Sequence, residues 1–201
     1  MGKVITYVCG DGLYLNLTTR CPNACEFCVR SIHDSVGDAD SLWLDDEPTL
    51  EEAMQSINGR NLADFREVVF CGFGEPFCRF EDMARLCQYV KDRRNIPIRI
   101  NTNGLGRLIC GKDPLPSLRG LVDVISISLN APTAEEYDAL CHSQYGPVAF
   151  DAMLDFAREG SQLGFDVVMT VVSTLPDDKI EACRALCESA GARFRVREII
   201  T

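Results

Sequence analysis

The sequence predicts an α/β fold in which six strand–helix units form a partial (β/α)6 barrel. Strand-like and helix-like segments alternate about six times, an order typical of parallel strands with helices packed outside them. A closed barrel of eight such units usually needs about 250 residues, whereas this chain has 201. Its polar and glycine-rich segments follow the ends of predicted strands, where barrels of this kind carry their functional loops. We therefore expect a barrel that stays open on one side.

The individual elements follow from hydrophobic patterning and from capping residues. Strands are predicted where short apolar or alternating runs end at glycine, proline or asparagine, over residues 4–8, 13–17, 67–71, 97–101, 121–128, 165–172 and 193–198. Helices are predicted where apolar residues recur at helical spacing behind a capping residue, over residues 49–59, 81–93, from 133, 148–163, and from Asp177 or Asp178 to 190. Residues 105–119 are predicted to contain one short helix.

Residues 1–201 are predicted to form a single domain with two long irregular segments. The second strand leads into a loop at residues 18–30, and a surface excursion of about residues 31–48 follows it. Aspartate and glutamate are frequent in this excursion, and we expect them to be solvated. Trp43 and Leu44 are expected to anchor the excursion to the rest of the domain.

The composition excludes several functional classes. A net charge of −10 argues against extended nucleic-acid binding, because proteins that track phosphates carry a basic footprint. No apolar run is long enough for a membrane span. Eleven cysteines without a secretory signal indicate a reducing cytoplasm rather than a disulfide framework. We therefore expect a cytoplasmic protein without a membrane partner.

Three of the cysteines lie within eight residues, at Cys21, Cys25 and Cys28. Closed zinc sites take four ligands, usually in two separated pairs, and a cubane iron–sulfur cluster normally takes four cysteines. Three local cysteines therefore suggest a cluster with one iron open to another ligand. A zinc site completed by a distant residue, or thiols that simply pack in the core, remain alternatives at this point. Cys183 and Cys187, four residues apart on one helix, are expected to be core residues.

The triplet, with Phe27 directly before its third cysteine, resembles the signature of the radical S-adenosylmethionine (SAM) enzymes. The segment Gly72-Phe-Gly-Glu-Pro76 is similar to the glycine-rich motif of that family. Within the family, the compact build, this motif and Ser126-Ile-Ser-Leu-Asn-Ala-Pro132 most resemble the small TatD-associated radical SAM proteins. The resemblance implies a partial barrel of the radical SAM type that binds a [4Fe–4S] cluster and SAM. A plain Gly-Gly-Glu-Pro form is absent.

The resemblance also implies roles for individual residues. Cys21, Cys25 and Cys28 are expected to bind the cluster, and residues at the strand ends are expected to contact SAM: Phe27, Gly72, Gly74, Glu75, Pro76, Asn101, Asn103, Ser128, Asn130 and Val171. Backbone carbonyls of the glycine segment would accept from the amino group of SAM. Ser128 and Asn130 are expected to share one face of their strand because they alternate along it. Phe27 and Val171 are candidate walls for the adenine. No catalytic residue is predicted.

The implied reaction is reductive cleavage of SAM to a 5′-deoxyadenosyl radical, which abstracts hydrogen from a small-molecule, nucleotide or protein substrate. A reductant such as flavodoxin or ferredoxin would supply the electron, under anaerobic conditions. A functional link to a TatD-type hydrolase follows from the subfamily resemblance. Two other functions stay open: an activase that installs a glycyl radical on a partner enzyme, and a metal-binding protein without turnover.

Overall fold

Seven strands form one sheet in a computed structural model that describes residues 3–198. The ends of the predicted 1–201 domain lie outside the described residues. The strands pair in chain order, β1 Thr6–Cys9, β2 Gly12–Leu15, β3 Glu67–Phe70, β4 Ile98–Thr102, β5 Val124–Ser128, β6 Asp166–Val172 and β7 Arg193–Arg197. β1 is antiparallel to β2, and every later pairing is parallel. The described strands do not close into a ring, which confirms the partial barrel.

Helices connect the parallel strands and cover one face of the sheet. They are α1 Leu50–Asn58, α2 Phe80–Arg93, α3 Gly106–Cys110, α4 Leu115–Leu118, α5 Ala134–Cys141, α6 Val148–Gln162 and α7 Asp177–Ser189. Short 3-10 turns follow the cysteine loop and β3. No helix within residues 3–198 is both long and apolar enough to cross a membrane.

The two faces of the sheet differ in chemistry, and strand register defines them. Phe70, Ile100 and Ile125 are paired laterally across three strands and are fully buried in the main core against the helices. The alternate residues point to the opposite face, which is the inside of the open barrel. That inner face is largely polar, and its members include Tyr14, Arg99, Asn101, Ser126, Ser128 and Thr170.

Three details of the predicted elements are wrong. β5 begins at Val124 rather than at residue 121, because the amide N–H groups of Leu121 and Val122 donate to the Leu118 carbonyl in a turn. Residues 105–119 contain two short helices rather than one. Pro176, not an aspartate, precedes α7. Asp177 and Asp178 instead occupy its first turn, where their charges favour the helix dipole. The expectation for Cys183 and Cys187 is confirmed, since both are fully buried in the core.

The excursion at 31–48 is held by a different residue from those expected. Leu42 is buried with Tyr7 and Phe73 in a second small cluster, whereas Trp43 is half exposed and packs edge-on against Phe73. The excursion also pairs with the free edge of β1. Asp38 Oδ1 accepts from the Val8 N–H at 2.5 Å, and the Asp38 N–H donates to the Val8 carbonyl at 3.0 Å. Some of its acidic residues therefore have structural partners.

Helix α1 depends on a reciprocal cap. The Thr49 hydroxyl accepts from the Glu52 N–H, and the Glu52 carboxylate accepts from the Thr49 N–H at 2.7 Å. Replacing Thr49 by alanine removes one of these bonds, so we expect Thr49→Ala to lower the free energy of unfolding by about 1 kcal/mol. Urea unfolding followed by circular dichroism would measure the change. An unchanged midpoint would show that the cap contributes nothing to stability.

Candidate functional site

The segments singled out in the sequence meet at one end of the barrel. The cysteine loop follows β2, the glycine segment 72–76 follows β3, Asn103 follows β4, and Asn130 follows β5. These strands are neighbours in the sheet and run parallel, so their carboxyl ends lie at the same edge. The topology thus brings together residues that are more than a hundred positions apart.

The glycine segment packs directly on the backbone of the cysteine loop. A Cβ atom on Gly74 would lie 2.3 Å from the Thr18 carbonyl oxygen and 2.7 Å from that of Arg20. A Cβ atom on Gly72 would lie 2.1 Å from Asn16 Oδ1. The Glu75 N–H donates to the Arg20 carbonyl at 2.8 Å. Both glycines are therefore required for close approach between chain segments.

The Glu75 carboxylate joins the glycine segment to the end of β4. It accepts from the Phe77 N–H at 3.2 Å, from the Thr102 hydroxyl at 2.8 Å and from the Asn103 N–H at 2.7 Å. Glu75 is only 3% exposed. Burial raises the pKa of its carboxyl to about 7, against the opposing effect of these donors. Pro76 begins the 3-10 turn that follows. The Glu75 carboxylate therefore forms its hydrogen bonds within the protein. The backbone of residues 72–76 is the part of this segment that can face a ligand.

The cysteine loop is docked on the carboxyl end of α5. The Ala24 and Glu26 N–H groups donate to the carbonyls of Cys141 and Leu140 at 2.9 and 3.1 Å. The Gln144 N–H donates to the Pro22 carbonyl at 2.8 Å. These bonds satisfy carbonyls that a helix end leaves without internal partners. A connection between β5 and β6 therefore shapes a loop that follows β2.

The three loop cysteines are half-buried and differ in their surroundings. Burial, together with the nearby charge of Glu75, raises the pKa of Cys21 to about 12. Asn103 Nδ2 lies 4.0 Å from Cys21 Sγ. The neighbouring thiol of Cys141, together with burial, raises the pKa of Cys25, and the proximity of Cys25 lowers the pKa of Cys141. In residues 3–198 no three His, Cys, Asp or Glu side chains are arranged as a common set of metal ligands.

The site residues predicted on and after β4 and β5 differ in their local backbone conformation. Asn101 faces the inside, where its side chain accepts from Arg99 at 2.7 Å. Ser128 is the last residue of β5 and faces the same side, since it pairs with inward-facing Thr170. Asn130 lies two residues beyond the end of β5, so strand alternation no longer determines where its side chain points. Its φ of +63° turns the backbone into the left-handed region, and its side chain is 2% exposed.

The structure does not bring Val171 to the site. Val171 is fully buried in the main core on the helix-facing side of β6. The residues on either side of it, Thr170 and Val172, occupy the inner face instead. Phe27, by contrast, lies at the barrel mouth, with its ring centroid 6.0 Å from the Arg197 guanidinium carbon.

Several residues of the site were not singled out in the sequence. Asn16 interrupts the apolar residues Leu15 and Leu17, and this inward polar position was a usable signal. Alternate arginines at 193, 195 and 197 were a second signal, because period-two spacing places them on one strand face. Cys141 had none, since only the fold brings it beside Cys25.

Comparison with known proteins assigns the family. The model of the Radical SAM superfamily matches residues 15–189, and the chain therefore belongs to this superfamily. Membership implies an iron–sulfur cluster and SAM, and indicates an enzyme of the radical SAM type.

Particular relatives differ in what they do. The chain is 32% identical over 143 residues to the tungsten-containing aldehyde ferredoxin oxidoreductase cofactor-modifying protein of Pyrococcus furiosus, covering 68% of this chain and 36% of that protein. Streptococcus suis SuiB bound to S-adenosylmethionine has a TM-score of 0.66 at 20% identity, over 93% of this chain and 38% of SuiB. A radical SAM methyltransferase from Sphaerobacter thermophilus has a TM-score of 0.63 at 16% identity, over 96% of this chain and 68% of the other. The chain thus spans little more than a third of the first two proteins.

The residues present fit the cofactors that the family implies. Sulfur donors in one half-buried loop suit iron–sulfur chemistry. Asn130, whose Nδ2 lies 3.6 Å from Cys141 Sγ, has a buried Oδ1 that, like Asn16 Oδ1, Asn23 Oδ1 and His33 Nε2, has no hydrogen-bond partner among the described residues. Buried polar atoms in proteins are almost always paired, so this oxygen is suited to a polar ligand.

The contact between Gly74 and the cysteine loop gives a sharp test. We expect Gly74→Ala to lower the free energy of unfolding by about 1–3 kcal/mol, because the added methyl group must displace the loop backbone. Iron binding after reconstitution should fall with it. Gly59→Ala is the matched control, since its Cβ would meet the Ser56 carbonyl oxygen at an ordinary 3.4 Å. Equal behaviour of the two variants in urea titration and iron analysis would contradict the packing argument.

The raised pKa of Glu75 predicts a pH dependence. The stability that this carboxyl contributes is fully present below pH 4.5 and is lost as the pH rises through about 7. In cluster-free protein, the stability advantage of wild type over Glu75→Gln should therefore shrink by up to about 3 kcal/mol between pH 4.5 and pH 8. Urea titrations of both proteins across this range would measure it. A constant difference would mean that Glu75 titrates normally.

Proposed function

We propose that this protein, as one radical SAM domain over residues 1–201, cleaves SAM reductively with a [4Fe–4S] cluster bound by Cys21, Cys25 and Cys28. One observation carries the proposal: the glycine segment packs directly on the backbone of the cysteine loop. Cys21, Cys25 and Cys28 would hold the cluster, which would supply the electron for reductive cleavage of SAM to methionine and a 5′-deoxyadenosyl radical that abstracts hydrogen from the substrate.

The chain's own residues bind and orient SAM. Carbonyl groups of residues 72–75 accept from the amino group of SAM, and glycine lets the backbone approach it. The Glu75 side chain and Pro76 hold that segment in place. Asn103, beside Cys21, orients groups close to the cluster.

The nucleoside end of SAM lies farther along the strand edge in this proposal. Ser128 and Asn130 offer polar groups to the ribose, and Asn101 supports them from the neighbouring strand. Phe27 provides an apolar surface for the adenine. Val171 is not assigned a contact, because its side chain faces the helices.

The substrate stays unassigned among small molecules, nucleotides and proteins, because the relatives' names describe different activities. We further infer a flavodoxin or ferredoxin as reductant, in a cytoplasmic and anaerobic setting. Membership of the TatD-associated group, with its functional link to a TatD-type hydrolase, stays a prediction that rests on the Gly-Phe-Gly-Glu-Pro and Ser-Ile-Ser-Leu-Asn-Ala-Pro segments.

The proposal predicts SAM cleavage that depends on the loop cysteines. After anaerobic reconstitution with iron and sulfide, dithionite and SAM should yield 5′-deoxyadenosine, measured by liquid chromatography. Cys25→Ala should reduce the yield to background because it removes a cluster ligand. Cys183→Ala is the control, since this cysteine lies in the core on α7. Iron binding without product would refute the catalytic claim, and zinc binding without iron would favour a metal-binding protein without turnover.

A further inference from the structure

The last strand places a row of arginines on the inner face of the barrel. β7 pairs in parallel with β6, and Thr170 and Val172 are the lateral partners of Arg195 and Arg197. Laterally paired residues point to the same side, so both arginines share the inner face with Thr170 and Ser128. In a chain of net charge −10, this local concentration of positive charge is unusual.

Within residues 3–198, neither Arg195 nor Arg197 forms an ion pair. Arg193, the first of the row, forms an ion pair with Asp166 at 2.5 Å. Among residues 3–198, no carboxylate lies within 4.0 Å of Arg195 or Arg197. Glu198, next to Arg197 in sequence, accepts instead from the Ser173 hydroxyl at 2.7 Å.

Arg197 reaches from β7 toward the cysteine loop. Its guanidinium carbon lies 6.0 Å from the Phe27 ring centroid. The side chain is half-buried. Burial lowers the pKa of Arg197, and neighbouring Arg195 acts in the same direction. A half-buried cation beside a like charge is stabilised by an anion that lies between them.

We propose that Arg195 and Arg197 form an oxyanion site at the barrel mouth that binds a carboxylate or phosphate group of the substrate. The planar guanidinium can hold either group by paired hydrogen bonds. The position of Arg197 next to Phe27, which belongs to the cysteine loop, places the anion beside the chemistry assigned above. The substrate class is therefore an acidic molecule, and this assignment rests on the proposed function.

Anion binding by cluster-free protein tests the site without catalysis. Thermal unfolding is followed while inorganic phosphate or acetate is titrated at constant ionic strength, with sodium chloride as the balancing salt. We expect a saturable rise in Tm with at least one of the two anions. Arg197→Gln should weaken the apparent affinity at least about tenfold, because a charge-assisted bidentate contact is lost. The absence of a saturable rise with either anion would overturn the proposal.

Three further variants test whether the loss of anion binding is specific to Arg195 and Arg197. Arg193→Gln is the matched control, on the same strand and face but already paired, and it should bind the anion like wild type. Arg195→Gln changes an exposed residue, so it should weaken binding without affecting folding. Arg197→Lys keeps the charge but not the fork and should bind with intermediate affinity. Equal loss in Arg193→Gln and Arg197→Gln would indicate a general charge effect and refute the site.

A second experiment distinguishes binding of the substrate from binding of SAM, which also carries a carboxylate. Equilibrium dialysis of reconstituted protein with labelled SAM should give the same Kd for wild type and Arg197→Gln, within about threefold. A tenfold loss of SAM binding would assign the arginines to SAM and overturn the substrate assignment. If wild type binds phosphate or acetate through Arg197 but makes no 5′-deoxyadenosine, the proposed function fails while the anion site stands.

Discussion

The buried carboxylate of Glu75 is the interaction on which the arrangement of the site depends. Its oxygens collect donors from the glycine segment and from the end of β4, while its own amide N–H holds the cysteine loop. Removing it would leave the Asn103 and Phe77 N–H groups buried without acceptors, which is costlier than losing the bonds themselves. A single side chain thus fixes the relative positions of loops that follow different strands.

Polar side chains on the inner face of the barrel also form hydrogen bonds with one another. Arg99 bonds Glu67 through both carboxylate oxygens and also contacts Tyr14 at 3.2 Å and Asn101 at 2.7 Å. The polar groups of Glu67, Tyr14 and Asn101 are therefore paired with Arg99 inside the barrel. Among the described residues, the polar groups without a protein partner include Asn16 Oδ1, Asn23 Oδ1 and Asn130 Oδ1, and neither Arg195 nor Arg197 has a carboxylate partner.

Sequence reasoning was accurate where periodicity or covalent spacing carried the information. The alternation of strands and helices predicted the open barrel, and the cysteine spacing predicted the family. It was inaccurate where the direction of a side chain depends on strand register or on the backbone conformation of one residue. Val171 and Val172 are both buried valines in an apolar strand, so only the register shows which one faces inward. Asn130 follows an alternating run, but its left-handed backbone ends the alternation. In the irregular excursion no period exists, so nothing in the sequence distinguishes Leu42 from Leu44 as the anchor.

The attachment of the cysteine loop to α5 has a consequence for the order of folding. The loop occupies residues 18–30, but the carbonyls that position it belong to Leu140 and Cys141. A ribosome makes the cysteines long before it makes this docking surface, and closing so long a loop carries an entropic cost. The nascent amino-terminal half therefore exposes three thiols without the support that shapes their loop. The loop can therefore take the shape seen in the structure only after α5, which lies between β5 and β6, is in place.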